Sequence, residues 1–163
     1  MAPGALHGLN ADARGLLLGM INTGYRPSEG CILHREQIRL DHNIPHISIE
    51  PVRRTLKSAH ARRTIPLLGV SLEVFREFPH GFTHYHDSAN VTNTINKFLT
   101  DNDLRQTPQH STYSLRHSFQ ERMVDARVDD RVRREVFGHT LTEAKYGEVS
   151  LAAKRDQLAP VAL

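Results

Sequence analysis

His46-Ile47-Ser48-Ile49-Glu50 is the stretch on which the fold class turns. Its apolar residues fall on every second position, the period of a strand with one buried face. Immediately downstream, Val52–Leu56 and Arg62–Leu67 read as two more strands, joined by a turn around Lys57-Ser58-Ala59-His60. Outside this region the period becomes helical. Upstream, Leu9, Ala13, Leu16, Leu17, Met20 and Ile21 form one stripe, with Asn10 as N-cap and Gly24 as the stop. Pro27 opens a second helix that runs to about Leu33. Downstream, Val70/Val74/Phe75/Phe78, Val91/Ile95/Phe98/Leu99, Leu115/Phe119/Met123 and Val128/Val132/Val136 form four more stripes. The last of these is stopped by Gly138. Thr140-Leu-Thr-Glu143 has the capping-box pattern, and Ser150 caps a final helix from Leu151 to about Ala159. The expected fold is α+β and mainly α: a helical domain with one small three-stranded antiparallel sheet in its N-terminal third.

Composition narrows the class. The 163 residues suffice for one domain with its own core, and 39% apolar with 24% charged residues fits a soluble globular chain. No apolar run approaches the roughly 18 residues of a membrane span, and the start carries no secretory signal pattern. The single Cys31 excludes an internal disulfide and a cysteine-cluster zinc site, and suits a reducing cytoplasm. With no Trp, six Phe and four Tyr, a module built on stacking single-stranded bases is not expected.

Charge supplies the first functional hint. The formal net charge is only +3, but it is unevenly spread. Residues 1–66 carry nine Arg/Lys against five Asp/Glu, whereas the remainder carries twelve against thirteen. Between Val52 and Arg63 stand Arg53, Arg54, Lys57, Arg62 and Arg63 with no acid among them. Such a local positive field suits a polyanion, so Arg53, Arg54, Arg62 and Arg63 are candidate contacts to one. A solvated hairpin face is the plainer reading of the same run.

Five segments could carry chemistry, and each alone has an ordinary explanation. Thr23-Gly24-Tyr25-Arg26-Pro27-Ser28-Glu29 sets Arg26 just ahead of a helix N-terminus, where an anion is favoured; Arg26 could equally pair with Glu29. Lys57 sits at the hairpin tip, where a lysine is usually solvated. Tyr113-Ser114-Leu115-Arg116-His117 opens a helix, and Tyr113 and Arg116, three apart, share a face if the helix has begun. Phe137-Gly138-His139-Thr140 sets His139 at a helix–helix corner, as a phosphate donor, a proton carrier or a packed side chain. Lys145-Tyr146-Gly147 follows seven residues after His139.

Taken in order, these segments resemble the tyrosine recombinase (phage integrase) family over almost the whole chain, from about Leu9 to Leu163. The resemblance implies an integrase-like DNA breaking–rejoining catalytic domain over residues 1–163, with the family's N-terminal core-binding domain absent. It implies a DNA strand transferase: a Tyr hydroxyl attacks a phosphodiester, leaving a 3′-phosphotyrosyl link and a free 5′-hydroxyl, without metal or nucleotide cofactor. Carried over position by position, Tyr146 is the nucleophile, Arg26 and Arg116 hold the non-bridging oxygens, Lys57 is the general acid, and His139 contacts the phosphate. Glu29 is a supporting residue. The physical demand agrees with these residue types. A pentacoordinate phosphoryl transition state spreads charge that guanidinium forks can hold, and the leaving oxygen needs a proton.

Two departures from the family pattern stand out. Tyr113 occupies the position where the family usually has His, and its phenol is a poor base near neutrality. The interval from His139 to Tyr146 is shorter than is common. His117 lies about 100° around the helix from Arg116 and is not promoted. His80, His84 and His86 cluster, but Pro79 and Gly81 oppose a helical zinc pair, so no metal is expected. Double-stranded DNA is the expected partner, in the cytoplasm of a bacterium or as a phage-derived protein. Self-association on DNA through the last helix is expected from Leu151 and Leu158 sharing a face. The alternatives are a DNA-binding relative that has lost cleavage, and a type IB topoisomerase-like enzyme.

Overall fold

The Asn10 side chain accepts a hydrogen bond from the Ala13 amide at 2.9 Å and so starts helix α1 (Ala11–Gly19). The computed structural model describes residues 4–50, 62–85, 87–139 and 147–163. Ala13, Leu16 and Leu17, with Met20 just beyond the helix, are at most 1% exposed and form the centre of the core. A four-residue helix α2 (Pro27–Gly30) follows, shorter than the expected run to Leu33.

Around α1 the chain wraps its later helices. Helix α3 (Gly69–Glu77) crosses it, and the Ser71 hydroxyl donates to the Gly19 carbonyl at 3.0 Å while accepting from the Asn22 amide at 3.1 Å. Helix α4 (Ser88–Asp101) is capped by Asp87 and turns Val91 and Ile95 inward. Helices α5 (Ser114–Asp125) and α6 (Asp130–Phe137) bury Phe119, Met123, Val132, Val136 and Phe137. Helix α7 (Leu151–Leu158), capped by Ser150, ends in a 3-10 turn at Ala159–Val161. No helix among the described residues is long and apolar enough to cross a membrane.

Among the described residues the sheet has three antiparallel strands in the order β1 (Ile38–Arg39), β2 (His46–Ile49), β3 (Arg63–Pro66). Its register pairs Ile47 with Ile65 and Ile49 with Arg63. The class, α+β and mainly α, is as expected, and the described strands include one, β1, that the sequence did not announce. The partner of β3 is β2 itself, and the second edge is the two-residue β1, too short for any alternation to announce it. The expected Val52–Leu56 strand, together with Arg53, Arg54 and Lys57, lies outside the described residues, in the connection from β2 to β3.

Helix α7 lies against β3 of its own chain. Leu158 is 1% exposed, as is Lys154, whose ammonium stands 3.1 Å from Glu135 of α6. The C-terminal Leu163 carbonyl accepts from the Val70 amide at 2.7 Å and from the Asn22 side chain at 2.8 Å. Of the two residues on which self-association was expected, Leu158 is covered within the chain and Leu151 is half-buried.

Candidate active site

The site lies where α2, α5, β3 and the end of α6 meet. Gly24 makes the turn into α2 with φ +58°, and a methyl group there would stand 2.9 Å from Phe119 and 3.1 Å from Phe137. Both the left-handed backbone and the lack of space require glycine. Two residues on, Arg26 is the extended N-cap residue of α2, with its side chain 36% exposed. Glu29 folds back on it. One carboxylate oxygen accepts from the Arg26 backbone N–H at 2.7 Å and the other from its Nη1 at 2.9 Å.

Arg116 rises from the first turn of α5 into the same region and is only 3% exposed. Its Nη1 donates to the Gly24 carbonyl, its Nη2 to the Phe137 carbonyl at 2.7 Å, and its guanidinium carbon lies 4.3 Å from the centre of the Phe137 ring. Burial, then repulsion from Arg26 and Arg63, pushes the Arg116 guanidinium down to about 10, while Glu29 and Tyr113 act the other way. It therefore stays charged at neutral pH. Three of its neighbours, Arg26, Arg63 and Tyr113, are thus close enough to shift its ionisation.

His139 completes the group. Helix α6 ends at Gly138, in the left-handed conformation with φ +64°, and this turn releases the chain to His139. The imidazole is pushed below its usual range, first by burial and then by Arg116, Arg26, Arg134 and Arg63. It is neutral at pH 7, with one ring N–H left to donate. Beside it a cleft of about 160 Å³ is lined by Gln120, Asp130, Arg133, Arg134 and Phe137.

Tyr113 precedes α5, is 40% exposed, and lays its ring edge-on to His117 at 5.3 Å. His117 is exposed on the helix surface. Of the basic run, Arg62 is exposed, but Arg63 is not. Arg63 donates from Nη2 to Glu29 at 2.7 Å, from Nη1 to Glu29 at 3.1 Å, and from Nε to the Val136 carbonyl at 2.8 Å. Its assignment as a DNA contact is corrected on this geometry: a guanidinium enclosed by a carboxylate and a helix end does not face a groove. Strand parity carried the missed signal. Arg63 is two residues from the fully buried Ile65, so it shares the inward face.

Glu29 is held by both arginines. Burial pushes its carboxyl up, but hydrogen bonds and charge from Arg63, with Arg26 adding to them, more than offset this and leave it below the usual carboxylate range. Lys57 and Tyr146 lie outside the described residues. Gly147, which follows Tyr146, has its carbonyl held by Arg131 of α6. Among the described residues no three His, Cys, Asp or Glu side chains stand together as metal ligands, and His86 falls outside them.

The sequence matches the model of the phage integrase family over residues 5–144. The chain belongs to that family. In fold it is similar to the integrase from mycobacterium phage Brujita, with a TM-score of 0.71 at 17% identity, over 96% of this chain and 54% of that one. It is also similar to the Tn1549 transposon integrase, solved in complex with transposon right-end DNA, with a TM-score of 0.60 at 13% identity, over 94% of this chain and 60% of that one. At such identities the likeness speaks for the fold. The chain spans between 54% and 60% of the length of these two integrases. No curated protein sequence matches it.

Proposed function

We propose that this integrase-family chain is the catalytic domain of a tyrosine site-specific recombinase, acting on double-stranded DNA. What supports the reading is one observation: two guanidinium groups, Arg26 and Arg63, hold a single carboxylate, Glu29, with a third, Arg116, near enough to feel all three charges and a neutral His139 beside it. The surplus of positive charge fits an anionic phosphodiester.

Arg26, partly exposed, and Arg116, anchored by two backbone carbonyls, hold the non-bridging oxygens. His139 donates its ring N–H to the same phosphate. The Tyr146 hydroxyl attacks phosphorus; its proton passes to water, aided by the cationic surround. The bond from phosphorus to the 5′-oxygen breaks, and Lys57 protonates that oxygen. A 3′-phosphotyrosyl link and a free 5′-hydroxyl result, and a second 5′-hydroxyl reverses the step. The arginines lower the barrier because they hold equatorial oxygens whose charge grows in the transition state.

The test is a DNA duplex nicked beside the cleavage site, so that a released 5′ fragment diffuses away. An SDS-stable protein–DNA adduct that disappears in Tyr146→Phe is expected. DNA binding without adduct would point to a cleavage-deficient relative. An adduct that survives in Tyr146→Phe would move the nucleophile elsewhere, Tyr113 first. Lys57→Ala should block cleavage of the ordinary linkage and be rescued by a 5′-phosphorothiolate, which leaves without a proton. Relaxation of supercoils without strand exchange would instead mark a topoisomerase-like activity.

A further inference from the structure

Arg63 is a buried cation of the site, with its side chain 2% exposed. It starts β3, opposite Ile49, and makes contacts that no other side chain could make together. Its fork spans both oxygens of Glu29, and its Nε–H closes on the Val136 carbonyl, one of the carbonyls that the last turn of α6 leaves open. The next carbonyl, Phe137, is taken by Arg116. Glu29 then passes the constraint on to Arg26, through the backbone amide and Nη1. Gly138 belongs to the same arrangement: a methyl group there would stand 2.9 Å from Arg63 Nη1.

We propose that Arg63 is a positioning residue for strand transfer, holding Arg26 in place through Glu29 and the Gly138–His139 corner through Val136. The proposal rests on the recombinase reading of the site above. Its physical content is twofold. Arg63 sets the geometry of two phosphate-facing elements from a third, the sheet. It also keeps Glu29 ionised, so that the carboxylate remains the clamp that orients Arg26. A lysine has one point charge and cannot make the planar, three-bond contact. A purely packing role would not depend on the charge of the substrate.

That dependence is the test. The 163-residue chain and its Arg63→Lys variant are given the nicked duplex in two forms, one with an ordinary scissile phosphodiester and one with a methylphosphonate. The methylphosphonate is neutral and needs less help from Arg26. On the phosphodiester, Arg63→Lys should slow adduct formation by about 10- to 100-fold, less than the roughly 10²- to 10³-fold of a lost direct donor because Arg63 acts through Glu29 and Val136, with DNA affinity changed by less than about threefold. On the methylphosphonate the defect should shrink to a few-fold, as it should for Arg26→Ala. Glu29→Gln is the second variant, should Arg63→Lys not fold; it keeps the shape and breaks the charge link, and must show the same substrate dependence. Wild-type rates in the variants, or equal defects on both substrates, would overturn the positioning role while leaving the recombinase reading intact. Absence of adduct from the wild type on either substrate would remove the recombinase reading, and this role with it.

Discussion

Among the described residues two carboxylates, Glu135 of α6 and the largely enclosed Glu29 of α2, are held by arginines or lysines close to β3, and they are handled differently. Glu135, 9% exposed, faces Lys154 at 3.1 Å and Arg131 at 3.3 Å, and accepts from the Val149 amide. Only one of those cations, Lys154, is fully enclosed, so the buried part is a neutral pair joining α6 to α7. Glu29 is gripped by Arg63 and Arg26, with Arg116 beside them, so two more positive charges than negative ones gather there. A balanced buried pair needs nothing further and acts as scaffold. An unbalanced cationic group, kept charged despite repulsion, stores electrostatic free energy that a bound anion releases.

The widest separation between the two clusters should come from Arg116→Lys. Losing the fork should slow adduct formation by about 10²- to 10³-fold, measured on the nicked duplex, while leaving most of the DNA affinity. On the other side, Lys154→Met leaves Glu135 facing only the more exposed Arg131. It should cost about 3 kcal/mol of folding stability, read by urea denaturation. Per folded molecule, its adduct rate should match the wild type. If Lys154→Met slowed cleavage as much as Arg116→Lys, the division into scaffold and site would be wrong.

The contrast also marks how far the sequence could be read. Helical stripes such as Val128/Val132/Val136 with the Gly138 stop were legible, because a period of 3.6 reports directly on which side faces the core. Arg26, Glu29, Arg116 and His139 were legible as a set because their order resembles a known family. Strand β1 was not, since two residues carry no period. The inward turn of Arg63 lay within reach of strand parity with Ile65, but its place in a run of five positive residues suggested a solvated face. Lys154 drew no reading from the sequence. Its burial depends on Glu135 and β3 arriving from elsewhere in the chain, and no local pattern encodes that.

Acid should expose the Glu29 cluster next. Its carboxyl titrates below the usual range in the folded chain, so the folded chain gives up this proton more readily than the unfolded chain does. The stabilisation from this group is therefore complete above its unfolded value of about 4.3 and is lost as pH falls through its lower folded value. Urea denaturation between neutral pH and about pH 3 should fall less steeply in Glu29→Gln than in wild type. Identical slopes would mean that Arg63 and Arg26 do not hold the ionised form.

The smallest effect sharpens the comparison at its edge, beside His139. Asp130 sits on the exposed side of α6, 2.9 Å from Arg133 and 2.6 Å from Arg134, and the two arginines pull its carboxyl below its ordinary range. These pairs are open to water and add little to folding, so Asp130→Asn should leave the denaturation midpoint in place. What changes is the field at the cleft: two guanidinium groups lose their acid where DNA would pass. Affinity for a duplex should rise a few-fold at low salt, and the gain should vanish as the ions screen it. Equal affinity at low salt would confine the functional surplus of charge to the Glu29 cluster, with Arg133 and Arg134 left as ordinary helix surface.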